Sequence, residues 1–242
     1  MNIRFVAVVV GTLLTVGPSG RVLAQVPAEV LDLRVWKLTL PYDTSRKGNP
    51  DEVTQPELES FADASCFFVS EAKQAVVFRA VCGGLGTENS KYPRSELREM
   101  KADGKDEMKW STKGTEERVL VVKQAITHTP DVKRHVVCAQ IHDADNDLIM
   151  VRLENSKLIV ERNGADDVML DKEYRLGEPF QLRIVAGGGR VQLWYNEVQK
   201  MDWKIDRSGC YFKVGCYTQS NVKKGDKPTA YGEVEVYELS VQ

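Results

Sequence analysis

Helix signals are scarce in this 242-residue chain, and so is any surplus of positive charge. The scarcity of helix excludes alternating β and α units. Lysine and arginine number 33 against 35 aspartates and glutamates, so nothing marks a nucleic-acid binder. A polyanion could be gripped only by positive charge concentrated in a groove. There are three histidines and no Cys-x-x-Cys pair, which argues against a zinc or redox centre. A Gly-x-Ser-x-Gly elbow is missing, and with it the α/β-hydrolase serine triad. No strand face presents a convincing acidic pair of the kind a retaining or inverting glycosidase needs. Repeats of fixed period, low-complexity tracts and long linkers are absent, which predicts one domain.

Long apolar runs are missing except at the start. Arg4, an apolar run from Phe5 to Val16 and the small-residue site Val22-Leu23-Ala24 read as a secretory signal peptide over residues 1–24. The run is shorter than the roughly 20 residues that span a bilayer, which disfavours an uncleaved anchor without removing it. Residues 25–242 are then expected to form a single domain. It is secreted or periplasmic, monomeric and away from membranes once the leader is cut. Loss of Arg4 and Arg21 takes the formal charge from -2 to -4. Five cysteines in an oxidising compartment leave at least one unpaired. Cys66 with Cys82 is the easiest local pair. Cys210 and Cys216 on one extended strand would stand about 20 Å apart and cannot bond each other.

Strand signals fill the rest. "VWKLTL", "AVVFRAV", "RVLVVKQAI", "HVVCAQIH", "LIMVRLE", "FQLRIVAG", "CYFKVGCYTQ" and "GEVEVYELSV" are short and rich in Val, Ile, Phe and Tyr. Turn clusters such as "GGLGTENS", "NGADD" and "GGGR" separate them. The spacing predicts an all-β antiparallel sandwich or jelly roll. The one helical stretch expected is "PELESFADA", residues 56–64. "DADNDLIMVRLE" places Asp143, Asp145, Asp147 and Glu154 at calcium-loop spacing, but Leu148 replaces the required glycine, so an acidic hairpin turn is expected.

Three segments put unusual polar residues on one face. In "RSELR" (94–98), Arg94, Glu96 and Arg98 alternate with Ser95 and Leu97. In "QIH" (140–142), Gln140 and His142 share a face, and Cys138 shares their parity. In "CYFKVGCYTQ" (210–219), Tyr211, Lys213, Gly215, Tyr217 and Gln219 oppose Phe212, Val214 and Cys216. The glycine would let a ligand or another backbone come close. Each face alone could simply be solvated, but their agreement favours a site. Cations and amides beside a proton-exchanging His142 and Tyr217 suit β-elimination on a polyuronate, where charge develops on a carboxyl group. No metal or cofactor is needed. Tyr217 could donate to the departing oxygen. To act as base as well, it would need a nearby cation, Arg94, Arg98 or Lys213, to favour phenolate.

The three segments together, in this order, resemble the signature of the alginate lyases of polysaccharide lyase family seven. "WKLTLP" near the start of the mature chain and "YP" before the arginine strand match as well. The resemblance implies that residues 25–242 form a single catalytic jelly-roll domain with an open substrate cleft on one sheet, and that an anionic polysaccharide, alginate, is its partner. It also implies a catalytic set of Arg94, Gln140, His142 and Tyr217, with His142 or Tyr217 as base. Glu96, Arg98, Lys213 and Gln219 would orient these groups or hold neighbouring sugars. In that family isoleucine at the middle of the second motif, here Ile141, goes with guluronate-containing blocks. Two rival readings stay open: a noncatalytic acidic-polysaccharide binder, and a lyase for another polyuronate such as glucuronan.

Overall fold

The computed structural model describes residues 25–242, apart from Lys73 and Asn89. The signal-peptide segment lies outside the described residues. Fifteen strands follow in chain order: β1 Trp36–Thr39, β2 Glu52–Val53, β3 Phe67–Val69, β4 Val76–Val81, β5 Arg94–Glu99, β6 Arg118–His128, β7 His135–His142 and β8 Asp147–Glu154. Then come β9 Lys157–Arg162, β10 Ala165–Asp171, β11 Phe180–Gly187, β12 Arg190–Tyr195, β13 Val198–Lys204, β14 Tyr211–Thr218 and β15 Tyr231–Val241.

They form two antiparallel sheets. One has the order β10-β9-β8-β7-β14-β5-β1-β2, the other β13-β12-β11-β6-β15-β4-β3. The late strands β14 and β15 insert between early ones, β14 between β5 and β7, β15 between β4 and β6. This is the jelly-roll sandwich the strand spacing predicts. Alternation builds the core: Leu97, Ala139, Ile141, Phe212 and Val214 of the first sheet are fully buried with Phe78, Leu120, Ile184 and Val234 of the second. The opposite faces of β5, β7 and β14 are thereby turned outward together.

One charge faces the core. Glu99, fully buried, accepts the Trp110 indole N–H at 2.9 Å, the Phe212 amide at 3.0 Å and Arg118 Nη2 at 2.6 Å. A carboxylate out of water is tolerable only when paired and hydrogen-bonded, and these bonds tie β5 to β14 and, across the sandwich, to β6.

Three expectations need correction. The 56–64 stretch forms only one 3-10 turn, Glu57–Glu59, because it offers a single fully buried apolar anchor, Leu58. Cys66 and Cys82 are not bonded, and all five cysteines are free and buried. In the β3–β4 hairpin Phe67 pairs with Phe78, so Cys66 falls opposite Arg79 and Cys82 lies three residues further on, about 10 Å along the strand and beyond disulfide reach. Cys138 does not face outward with Gln140. The β7–β8 register steps from Val137↔Arg152 to Ala139↔Val151, a bulge in which Cys138 is the extra residue. It turns into the core, 1% exposed, where its sulfur accepts Gln124 Nε2 at 3.2 Å and burial pushes its thiol far up.

Candidate active site

The register of β14 assembles the site. Tyr217 pairs with Arg94, Gly215 with Glu96 and Lys213 with Arg98 on one side. On the other side Lys213 pairs with Gln140 and Tyr211 with His142. Residues directly opposite on one face stand about 5 Å apart, so three distant sequence segments become one surface. Gly215 makes the pairing possible: its φ is 138°, and an added Cβ would lie 2.6 Å from the Ser95 carbonyl oxygen and 2.9 Å from Phe78. What approaches this glycine is the neighbouring strand.

Glu96 is the hub. Its carboxylate, 1% exposed, accepts Lys213 Nζ at 2.6 Å, Arg94 Nη1 at 3.1 Å and Gln140 Nε2. Burial would raise its pKa, but Lys213, Arg94 and the hydrogen bonds outweigh that and hold it below the usual carboxylate range. Lys213 is pushed down to about 8, first by burial and then by Arg94, against the pull of Glu96. Arg94 stacks with its guanidinium carbon 4.0 Å from the Tyr217 ring centre, and its buried Nε has no partner among the described residues.

His142 and Tyr217 are held in complementary protonation states. The His142 Nδ1 lies 2.7 Å from the Asp143 carbonyl oxygen, which can only accept, so Nδ1 carries the proton and the Nε2 lone pair is left open. Tyr211 packs on the same ring, centroids 5.5 Å apart, with its hydroxyl 3.2 Å from Nδ1. Burial, with Lys213 nearby, lowers the His142 pKa below the ordinary histidine value despite the Asp143 bond, so the ring is neutral at pH 7. Tyr217 is 8% exposed, and its hydroxyl sits 2.7 Å from Ser90 Oγ. Burial raises its pKa more than Arg94 and Ser90 lower it, so the phenol keeps its proton.

Above these groups lies a cleft of about 480 Å³. Arg94, Arg98, Gln140, His142, Lys213, Tyr217 and Gln219 line it, and Glu96 lies beneath. A cavity of similar size beside the 3-10 turn Pro27–Glu29, lined by Val30, Leu31 and Asp32, gathers no comparable proton-transfer groups.

The alginate lyase family matches residues 31–242. The chain belongs to the alginate lyase family. It is similar to AlgAT5, an alginate lyase from polysaccharide lyase family 7, with 48% identity, 90% of this chain and 99% of that one covered, and a TM-score of 0.86. The alginate lyase from Corynebacterium sp. is 38% identical, with 90% and 98% covered and a TM-score of 0.85. An alginate lyase of Klebsiella pneumoniae is 32% identical over 98 residues, 40% of this chain and 32% of that relative's length.

Beyond the eight expected site residues, the cleft also holds Tyr211, Ser90 and Glu107. Tyr211 shares the parity of Lys213 and Tyr217, and that parity was its available signal. Ser90 and Glu107 enter from loops, where no periodicity points to them. Arg98 stacks on Tyr211, 3.8 Å from its ring centre, and lies 3.1 Å from Glu107. Gln219 accepts Arg152 Nη1 at 3.3 Å, which fixes its amide at the β8 end of the cleft. Ile141 is fully buried in the core, so it cannot touch a sugar, and any link to block preference must act through packing.

Proposed function

We propose that this lyase cleaves alginate by β-elimination, with His142 as base and Tyr217 as acid. Arg94 and Gln140 donate to the uronate carboxylate beside the bond to be broken. The His142 Nε2 takes the proton from the carbon next to that carboxyl group. The electron pair forms a carbon–carbon double bond as the glycosidic C–O bond breaks, and the departing oxygen takes the Tyr217 proton. Both groups then exchange protons with solvent. Charge builds on the carboxylate only as the proton leaves, so its donors favour the transition state over the ground state, each contributing about 10²–10³ in rate. Lys213, Glu96, Arg98 and Gln219 orient these groups and hold neighbouring sugars.

The observation that carries this reading is the pairing on one cleft floor of a neutral histidine with an open Nε2 and a protonated tyrosine, both beside cations. The cleft crosses six adjacent strands from β2 to β8, about 24 Å at ordinary strand spacing, which supports attack within the polymer. We place the working enzyme outside the cytoplasm, from its N-terminal leader pattern. The test is to incubate residues 25–242 with alginate and follow the ultraviolet absorbance of the unsaturated product. Binding without absorbance would overturn the catalytic reading in favour of a carbohydrate-binding module.

A further inference from the structure

The cations of the cleft are not equally available. Arg94 and Lys213 share the one carboxylate of Glu96, which leaves this central group with surplus positive charge. Toward the β2 edge, Lys37 and Arg98 stand opposite each other on β1 and β5. Glu107 bridges them, one oxygen 3.1 Å from Arg98 Nη2 and the other 3.5 Å from Lys37 Nζ. The two cations are nearly buried on the cleft floor, whereas the Glu107 side chain is 46% exposed and enters from the loop after β5. Neither cation depends on it for its place. Arg98 keeps its stack on Tyr211 and a 3.1 Å bond to the Glu99 carbonyl, and Lys37 keeps Glu52 at 2.9 Å.

A carboxylate with each oxygen on a different cation, in a cleft that takes a polymer of carboxylates, occupies a place the polymer could use. We propose that Lys37 and Arg98 form a carboxylate subsite that Glu107 fills in the free enzyme, and that a uronate carboxylate must displace the Glu107 side chain to bind there. The inference rests on the reading of this cleft as an alginate site. Binding at this point exchanges one carboxylate for another, so the subsite selects by where the charge falls. A sugar with a correctly placed carboxylate restores both ion pairs, while a neutral or esterified sugar leaves Glu107 where it is.

The test is Glu107→Gln, which keeps shape and removes charge. KM for alginate at low salt should fall about fivefold, the fold-change that goes with the loss of one half-exposed ion pair, with kcat within about twofold. The gain should shrink as salt rises. In a Lys37→Ala/Arg98→Ala background the same substitution should no longer lower KM. A KM that is unchanged or raised would make Glu107 a positioning residue for Arg98 and Lys37 and overturn the proposal. A gain that persists with both cations removed would overturn it too, as a general field effect. Calorimetric binding of alginate to the same proteins reads the same shift in Kd, so the subsite stays testable if the parent shows no turnover, the result that would instead sink the lyase reading.

Discussion

The hydroxyl oxygens of Ser90 and Tyr217 lie 2.7 Å apart at the rim of the cleft. The Tyr92 amide donates into the same serine oxygen at 3.3 Å, and once Tyr217 has given up its proton only the serine hydroxyl can donate across the pair. Ser90 thus stabilises the phenolate that remains after Tyr217 has given up its proton. Ser90→Ala is expected to lower kcat about tenfold with little change in KM, as for one lost hydrogen bond to a charged group. Because Ser90 lowers the Tyr217 pKa, its removal should move the basic limb of the pH–rate profile to higher pH. Ser90→Thr should restore both. An unmoved limb and full kcat in the alanine variant would contradict the assignment.

His142 must be neutral to accept a proton, so activity is lost as pH falls through its folded pKa. Burial sets that pKa below the ordinary histidine value of about 6.5. The acid limb of kcat/KM should therefore lie under pH 6.5. A limb above that value would show that the base is a different group or that His142 is charged in the free enzyme.

Glu96, buried, holds three partners, so Glu96→Gln leaves Arg94 and Lys213 side by side with no counter-charge. Breaking one partner out of a buried ion cluster costs about 3–5 kcal/mol, and denaturant unfolding at pH 7 should show a loss of that order. The parent's Glu96 has a depressed pKa, so its contribution is present above the unfolded carboxyl value of about 4.3 and disappears as pH falls through the folded value. The gap between parent and variant should narrow in acid. A constant gap from pH 7 down to pH 2 would contradict the ion-pair account.

Gly215→Ala tests the scaffold. A φ of 138° strains any side chain, and the new Cβ would meet the Ser95 carbonyl at 2.6 Å. Stability should fall by about 1–3 kcal/mol, read from the unfolding midpoint, and activity should fall with it as β14 moves off β5. A fully stable and active variant would mean the strand pairing tolerates a displaced Glu96.

The site was legible where strands carry it and not where loops do. Alternation in "RSELR", and in "YFKVGCYTQ" outside the irregularity at Gly215 and Cys216, became cleft and core faces in the structure, because a period of two survives along any regular strand. Cys138 escaped that logic, since a single extra residue in β7 turned it inward. Ser90 and Glu107 come from irregular segments whose positions depend on tertiary packing, so no local pattern announced them. The protonation states of His142 and Tyr217 were also invisible, being set by burial and by neighbours from other strands. The cysteine pairing failed for a related reason: nearness in sequence was mistaken for strand register.

The central claim is that the Tyr217 hydroxyl delivers a proton to the departing sugar oxygen. Tyr217→Phe removes that oxygen while keeping the ring that stacks on Arg94. Turnover of alginate, followed as absorbance of the unsaturated product, should fall at least about 10²-fold, with calorimetric affinity for alginate within about twofold of the parent. Turnover near the parent rate with the phenylalanine in place would contradict the mechanism.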